Sequence, residues 1–219
     1  MGKLLRTLFG IATNQPSLDP AKFGDPLALK IEWTPATRGG TNFRTHRFVQ
    51  TDFSRVEFRA SVVAKLFPLL FAVGGIVCGV GYSIQTGPAL FSHLSDIVPV
   101  LVGILFIFVG SILFWTSTTP IVFDKGVGYF WKSRKSPQDV LEVSSLKKCA
   151  RLDQIHAIQL VSEWVRGSKT SYYSYEINLV LEDTRRMTVI DHGNLKRIRE
   201  DAGRLSEFLG KPVWDAINR

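Results

Sequence analysis

Val62-Val-Ala-Lys-Leu-Phe-Pro-Leu-Leu-Phe-Ala-Val-Gly-Gly-Ile-Val-Cys-Gly-Val-Gly-Tyr-Ser-Ile84 and Ile97-Val-Pro-Val-Leu-Val-Gly-Ile-Leu-Phe-Ile-Phe-Val-Gly-Ser-Ile-Leu-Phe-Trp-Thr-Ser-Thr118 decide how this chain folds. The second run contains no charged residue, and the first contains only Lys65. At about 1.5 Å of rise per residue, a helix of roughly 20 residues covers the ~30 Å hydrocarbon layer of a bilayer. A buried core helix can also be apolar all round, but it is usually shorter and keeps a polar face. Two such runs close together therefore read as a transmembrane helical hairpin. Helices suit lipid because each backbone N–H and C=O is satisfied within its own segment. Lys65, one turn in, can extend its ammonium back to the interface.

Charge placement orients the hairpin. Gln85 to Asp96 between the runs contains no lysine or arginine, whereas Arg38, Arg44, Arg47, Arg55 and Arg59 precede the first run and Lys125, Lys132, Arg134 and Lys135 follow the second. Cations near helix ends are retained on the cytoplasmic side, so both termini are expected in the cytoplasm of a bacterial inner-membrane, multi-pass protein. Nine Lys/Arg against five Asp/Glu ahead of Val62, and 17 against 13 after Thr118, leave +4 on each side. With no basic stripe or RNA-binding signature, that excess fits an anionic leaflet rather than nucleic acid. Cys78 lies inside the first run and Cys149 beyond the second, which implies no disulfide framework.

Taken in order, residues 1–24 read as a short N-terminal segment, Met1 to Ala12, amphipathic and suited to the membrane surface, followed by a Pro- and Asn-rich linker. Residues 25–61 read as a β segment that joins a sheet completed elsewhere, with strands over Leu27–Trp33, Asn42–Val49 and Val56–Phe58. Residues 62–118 are the hairpin, with spans 62–84 and 97–118. Within 119–219, Pro120–Phe123 and Val127–Trp131 flank an Asp/Gly turn, Gln138–Ser145 is ambiguous, and Ile155–Val165, Tyr172–Leu181 and Met187–Ile190 follow as antiparallel strands. Asn194 is a helix cap, and Leu195, Ile198, Ala202, Leu205 and Leu209 recur at helical spacing up to Gly210 and Pro212. The fold class expected is an α+β membrane protein: a two-helix hairpin plus one antiparallel sheet capped by a C-terminal amphipathic helix.

That order of elements over residues 62–219 resembles bacterial two-span membrane proteins with a pleckstrin-homology-like (PH-like) cytoplasmic domain. Thr119-Pro-Ile-Val-Phe-Asp-Lys-Gly-Val-Gly-Tyr-Phe-Trp131 and Tyr172-Tyr-Ser-Tyr-Glu-Ile-Asn-Leu-Val-Leu181 also look like such uncharacterised bacterial membrane proteins. The resemblance is one of architecture and carries no catalytic residue across.

The candidate sites are few. Lys132, Arg134 and Lys135, with Lys147, Lys148 and Arg151 nearby, can hold anionic headgroups or form a solvated loop retained inside by its charge. Trp164, Tyr172, Tyr173 and Tyr175 on neighbouring strands are either a protein contact or cross-strand packing. Gly75 and Gly79 form a G-x-x-x-G pair, Gly74 and Gly81 fall on closely related faces, and Gly103 and Gly110 can face them, within one hairpin or between copies in a homo-oligomer. Asp191-His192 is the most enzyme-like pair, since a carboxylate can orient an imidazole, but its place at a strand–helix junction favours a turn or capping role. Neither cysteine has metal-ligand spacing, and no P-loop, nucleophile elbow or dinucleotide fingerprint is present. The expectation is a membrane-anchored binding protein without catalysis, metal or cofactor, acting on a protein partner or anionic lipid. The alternatives are an accessory or immunity-type subunit with one dedicated partner and, behind it, an enzyme using Asp191 and His192.

Overall fold

Ser61 stands between a strand and a helix: its hydroxyl accepts the N–H of Ala64 at 3.2 Å, the standard way to satisfy a donor in a helix's first turn. The computed structural model that contains this junction describes residues 18–87, 92–146, 148–167 and 170–217. The expected surface segment Met1 to Ala12 and the cation Lys147 lie outside the described residues. The chain divides into two compact units, one of residues 43–153 and one of residues up to Asn42 with those from Gln154 onward. Residues 119–219, expected as one domain, therefore contribute to both.

In the first unit, β1 (His46–Gln50), β2 (Arg55–Ala60), β3 (Ile121–Asp124), β4 (Tyr129–Lys132) and β5 (Cys149–Arg151) form an antiparallel sheet in that spatial order. The two apolar helices, α1 (Val62–Thr86) and α2 (Leu94–Ser117), are inserted between β2 and β3. Those strands are nevertheless paired, with Phe58 opposite Ile121. A phenylalanine series crosses the sheet: Phe48 meets Phe58 edge-on at 5.4 Å between ring centroids, Phe58 meets Phe123 at 6.3 Å, and Phe123 meets Phe130 at 4.7 Å. All four rings are buried, so cross-strand aromatic pairs supply the core of this sheet. Opposing its burial, Glu57 has its pKa lowered by the guanidinium groups of Arg59 and Arg55, each 2.8 Å away.

Both helices are long and apolar enough to cross a membrane, yet only 22% and 11% of their most apolar windows are buried. A core helix of a soluble protein would be mostly covered. Pro68 lies inside α1 and has no N–H for the carbonyl of Ala64, four residues earlier. Ser117 of α2 supplies the missing donor, its hydroxyl lying 3.0 Å from the Ala64 carbonyl. Other hydroxyls bond back to their own helix, Ser83 to the Gly79 carbonyl at 2.7 Å and Ser111 to that of Ile107 at 2.8 Å. Each such bond satisfies the hydroxyl within its own helix.

In the second unit, β6 (Ile155–Arg166), β7 (Ser171–Leu181), β8 (Arg186–His192) and β9 (Val213–Asp215) form a sheet of order β8-β7-β6-β9. The first three are antiparallel neighbours, and β9 runs parallel to β6. Helix α3 (Leu195–Leu209) begins at Asn194, whose side chain accepts the Arg197 N–H, and ends at Gly210 in the left-handed region at φ 67°. Its buried face is Ile198, Asp201, Ala202, Leu205 and Phe208. It packs on the sheet face built from Ile158, Leu160, Ile177 and Leu179.

Two expectations are corrected. There are two sheets rather than one, although β1 and β2 do join strands that follow the second apolar run, through the pairing of β2 with β3. Leu27–Trp33 is not a strand but a series of turns. Asp25 takes the Leu27 N–H on its side chain and that of Ala28 on its carbonyl, and Lys30 N–H bonds to the Leu27 carbonyl. The buried residues Ala28 and Ile31 are three apart, the spacing of a turn, and they join Ala157, Val180 and Trp214 in a cluster.

Candidate functional site

Strand β7 alternates apolar Ile177 and Leu179 with polar Ser174, Glu176 and Asn178, a pattern that normally marks one solvated face. Here the polar face is buried: Gln159 and Asn178 are fully covered, and Ser174 and Glu176 nearly so. Register places Gln159 opposite Asn178 and Glu163 opposite Ser174, and residues 32–42 lie across them. Gln159 Nε2 donates to the Glu32 carbonyl at 2.9 Å. The Glu176 carboxylate accepts the N–H groups of Ala36 at 2.8 Å and Thr37 at 3.2 Å, the Thr188 hydroxyl at 2.6 Å and Asn178 Nδ2 at 3.2 Å. Glu163 accepts the N–H groups of Gly39 and Gly40, both at 3.1 Å, and Asp191 accepts that of Thr41 at 2.5 Å. Three carboxylates thus hold one strap by its backbone, and charged acceptors make these bonds stronger than neutral ones. A Cβ on Gly40 would run into the Ser174 side chain, so the close approach requires glycine there.

Arg186 closes the other end of the strap. Its Nη1 donates to the Thr34 carbonyl at 2.6 Å, and its Nη2 lies 3.3 Å from Glu32. Burial pushes its pKa down, against the pull of Glu32 and Glu176. Before the strap, Asp25 meets His156 Nε2 at 2.6 Å, beside a cluster in which Phe23 stacks on Trp33 at 4.9 Å and Trp33 meets Trp214 at 6.1 Å. The His156 hydrogen bond, with that from the Leu27 N–H, holds the Asp25 carboxyl below its ordinary value. A lowered carboxylate pKa stabilises the fold above the unfolded-state value, and that contribution is lost as pH falls through the folded-state one.

The sequence-expected residues fall as follows. Asp191 and His192 face opposite sides of β8, as successive strand residues must. Asp191 holds Thr41, whereas buried His192 accepts the Asn194 N–H at 3.2 Å through Nδ1 and shapes the turn into α3. The carboxylate therefore does not orient the imidazole. Trp164 and Tyr173 pack across the β6–β7 pair at 4.4 Å, with Tyr175 next at 6.4 Å. Trp164 remains 45% exposed while Tyr175 is buried. Tyr172, on the other face, donates its hydroxyl to the Gly40 carbonyl at 2.8 Å and belongs to the strap.

In the unit that carries the apolar helices, Arg134 Nη2 donates to the Trp115 carbonyl at 2.8 Å and to the Thr118 hydroxyl at 2.7 Å, and its guanidinium lies 4.1 Å from the Trp115 ring centroid. It caps the C-terminal end of α2, where orphan carbonyls favour a cation. Lys132 ends β4 opposite Ile121, Lys135 and Lys148 are exposed, and Arg151 is tied to Asp153 at 2.5 Å. Gly75, Gly79 and Gly103 meet within one hairpin, and Gly110 packs against Pro68 and Ala72 of the same hairpin. A Cβ on Gly103 would lie 2.7 Å from the Gly75 carbonyl oxygen and 2.8 Å from Gly79 Cα, and one on Gly110 would lie 2.8 Å from the Pro68 carbonyl oxygen. Gly74 and Gly81 do not share that face and meet nothing within 4 Å.

Among the described residues, no group of three or more His, Cys, Asp or Glu side chains is arranged to hold a metal ion. Cys78 and Cys149 are free thiols, and burial raises the pKa of Cys149. The strap contacts were missed from sequence because Ser174, Glu176 and Asn178 look like a solvent face. The signal available in the sequence is Gly39-Gly40, which permits the close backbone approach to Ser174. No protein-family model and no curated protein matches the chain.

Proposed function

We propose that the chain is an integral protein of the bacterial cytoplasmic membrane, in which α1 and α2 span the bilayer, both termini are cytoplasmic, and a PH-like α+β part binds a protein partner or anionic lipid without catalysis. The observation that carries this reading is the pairing of β2 with β3 on either side of the inserted helices. The chain leaves a sheet and re-enters it at the same end, as a hairpin anchored from one side of a membrane must. Arg44, Lys65, Lys132, Arg134, Lys135 and Lys148 all belong to that end, through the pairing of β1 with β2, of β3 with β4, and of the Lys132 N–H with the Lys148 carbonyl. The connection between the helices holds no lysine or arginine, the asymmetry expected of a cytoplasmic anchor. The PH-like reading rests on consecutive hairpins followed by one amphipathic helix. The parallel strand β9 is a departure from the expected antiparallel pattern.

Two measurements test this. Alkaline phosphatase fused after Arg219 is expected to be inactive and a fluorescent protein fused there to fluoresce; phosphatase activity would place the C-terminus outside and overturn the topology. Purification of the full chain in mild detergent is expected to recover a stoichiometric protein whose yield drops with Trp164→Ala, or bound anionic lipid. Recovery of neither removes the binding reading.

A further inference from the structure

Leu141 is fully exposed, in a loop that begins against the end of an apolar helix. The loop, residues 133–148, leaves β4 at Lys132, opposite Ile121, and returns through Lys148, whose carbonyl accepts the Lys132 N–H at 2.9 Å. Ile121 follows α2 by only a few residues, and Arg134 of the loop grips the last turn of that helix at Trp115 and Thr118. The loop root thus lies at the level where α2 ends, the level at which tryptophan and arginine anchor spanning helices in the headgroup layer.

From the spanning reading above, on which this rests, we infer that the β4–β5 loop is a third membrane contact, inserting Leu141 into the headgroup–acyl boundary of the anionic leaflet. Arg134, Lys135 and Lys148 stand on the two arms of the loop, a charge pattern complementary to acidic headgroups. Both acidic residues of the loop are exposed and bonded locally: Asp139 accepts the Ser136 N–H at 2.9 Å, and Glu142 accepts the Ser144 hydroxyl at 3.3 Å. Ser136 caps the short helical turn Pro137–Asp139, and Pro137 is buried beneath it. The base of the loop is therefore held, and its apolar tip is presented. An exposed apolar residue on a loop whose two arms carry cations has the composition of elements that lie in the interface plane ~5–10 Å deep.

The test uses full-length protein with Cys78→Ala and Cys149→Ala, reconstituted in phosphatidylglycerol-containing vesicles, with one environment-sensitive fluorophore on Leu141→Cys, Phe53→Cys or Ile104→Cys. Phe53 is 97% exposed in the β1–β2 turn, at the end of those strands away from Ser61, and reports solvent. Ile104, mid-α2, reports the acyl layer. Lipids carrying a shallow quencher are expected to quench the Leu141 label at least about twofold more than the Phe53 label, and to do so less in neutral phosphatidylcholine. A Leu141 label that behaves like that on Phe53, while Ile104 remains lipid-quenched, overturns the inference and leaves the spanning helices standing. An unquenched Ile104 label instead overturns the spanning reading itself. Should the cysteine-free chain not fold, backbone hydrogen exchange on the native sequence serves. Residues 138–143 are expected to be protected in anionic vesicles relative to detergent, and Leu141→Asp to remove that protection. Protection that appears only when a soluble protein fraction is added would assign the tip to a protein and overturn the lipid contact.

Discussion

Gly103→Val is expected to pry α1 and α2 apart, lowering the temperature at which the detergent-solubilised protein stays monodisperse, whereas Gly81→Ala leaves it unchanged. The first methyl group at position 103 already meets the Gly75 carbonyl oxygen at 2.7 Å and Gly79 Cα at 2.8 Å. Backbone cannot move aside as a side chain can, so even alanine should cost the 1–3 kcal/mol typical of an overpacked contact, at about that size, and valine more. At Gly81 a Cβ meets nothing within 4 Å, and the effect should remain within about 0.5 kcal/mol. The seam has a polar component too. Ser117→Ala removes the donor of the Ala64 carbonyl, worth about 0.6–2 kcal/mol for hydrogen bonds between membrane helices. In a Pro68→Ala background residue 68 regains an N–H for that carbonyl, so Ser117→Ala should then have little effect. If Gly103→Val keeps its stability while Gly81→Ala loses it, the helices pair through the other face and the internal seam is wrong.

What could be read from the chain and what could not divide along a physical line. The apolar runs were legible because each helix satisfies its own backbone and needs no distant partner to reveal it; the expected spans 62–84 and 97–118 became Val62–Thr86 and Leu94–Ser117. Asn194 and Gly210 were legible for the same reason, since caps are local chemistry. The pairing of β2 with β3 was not, because it joins Phe58 to Ile121 across the whole inserted hairpin. Leu27–Trp33 misled because its apolar residues happen to alternate, while the burial that matters falls on Ala28 and Ile31. Strand β9 is only three residues long and finds its place by lying beside β6. For the candidate sites, the residue types were correct landmarks but their company was not visible. Tyr172 and Asp191 were grouped with Tyr173 and His192, their neighbours in sequence, yet strand alternation turns them to the opposite face, where both bind the strap.

Removing Glu176 should release that strap. Its carboxylate is almost fully buried and accepts four hydrogen bonds, two of them from the backbone of Ala36 and Thr37. Glu176→Ala removes all four bonds at once, leaving fully buried Asn178 without that acceptor while the N–H groups of exposed Ala36 and Thr37 turn to water, so a loss of about 3 kcal/mol is expected, the upper end of the ~1–3 kcal/mol for one buried unsatisfied group. Glu176→Gln keeps one acceptor oxygen but turns an amide N–H₂ toward donors, and should cost about 1–3 kcal/mol. The readout is trypsin cleavage after Arg38, which lies between Thr37 and Gly39 in the strap. Cleavage there should accelerate in the order native, Gln, Ala, together with a fall in the denaturant midpoint. Asp183→Asn is the control: its ion pair with Arg185 is more than half exposed on both sides, and such pairs contribute about 0–1 kcal/mol. Equal cleavage rates at Arg38 in Glu176→Ala and Asp183→Asn would mean that the carboxylate does not hold the strap, and that the aromatic cluster of Phe23, Trp33 and Trp214 retains the segment without it.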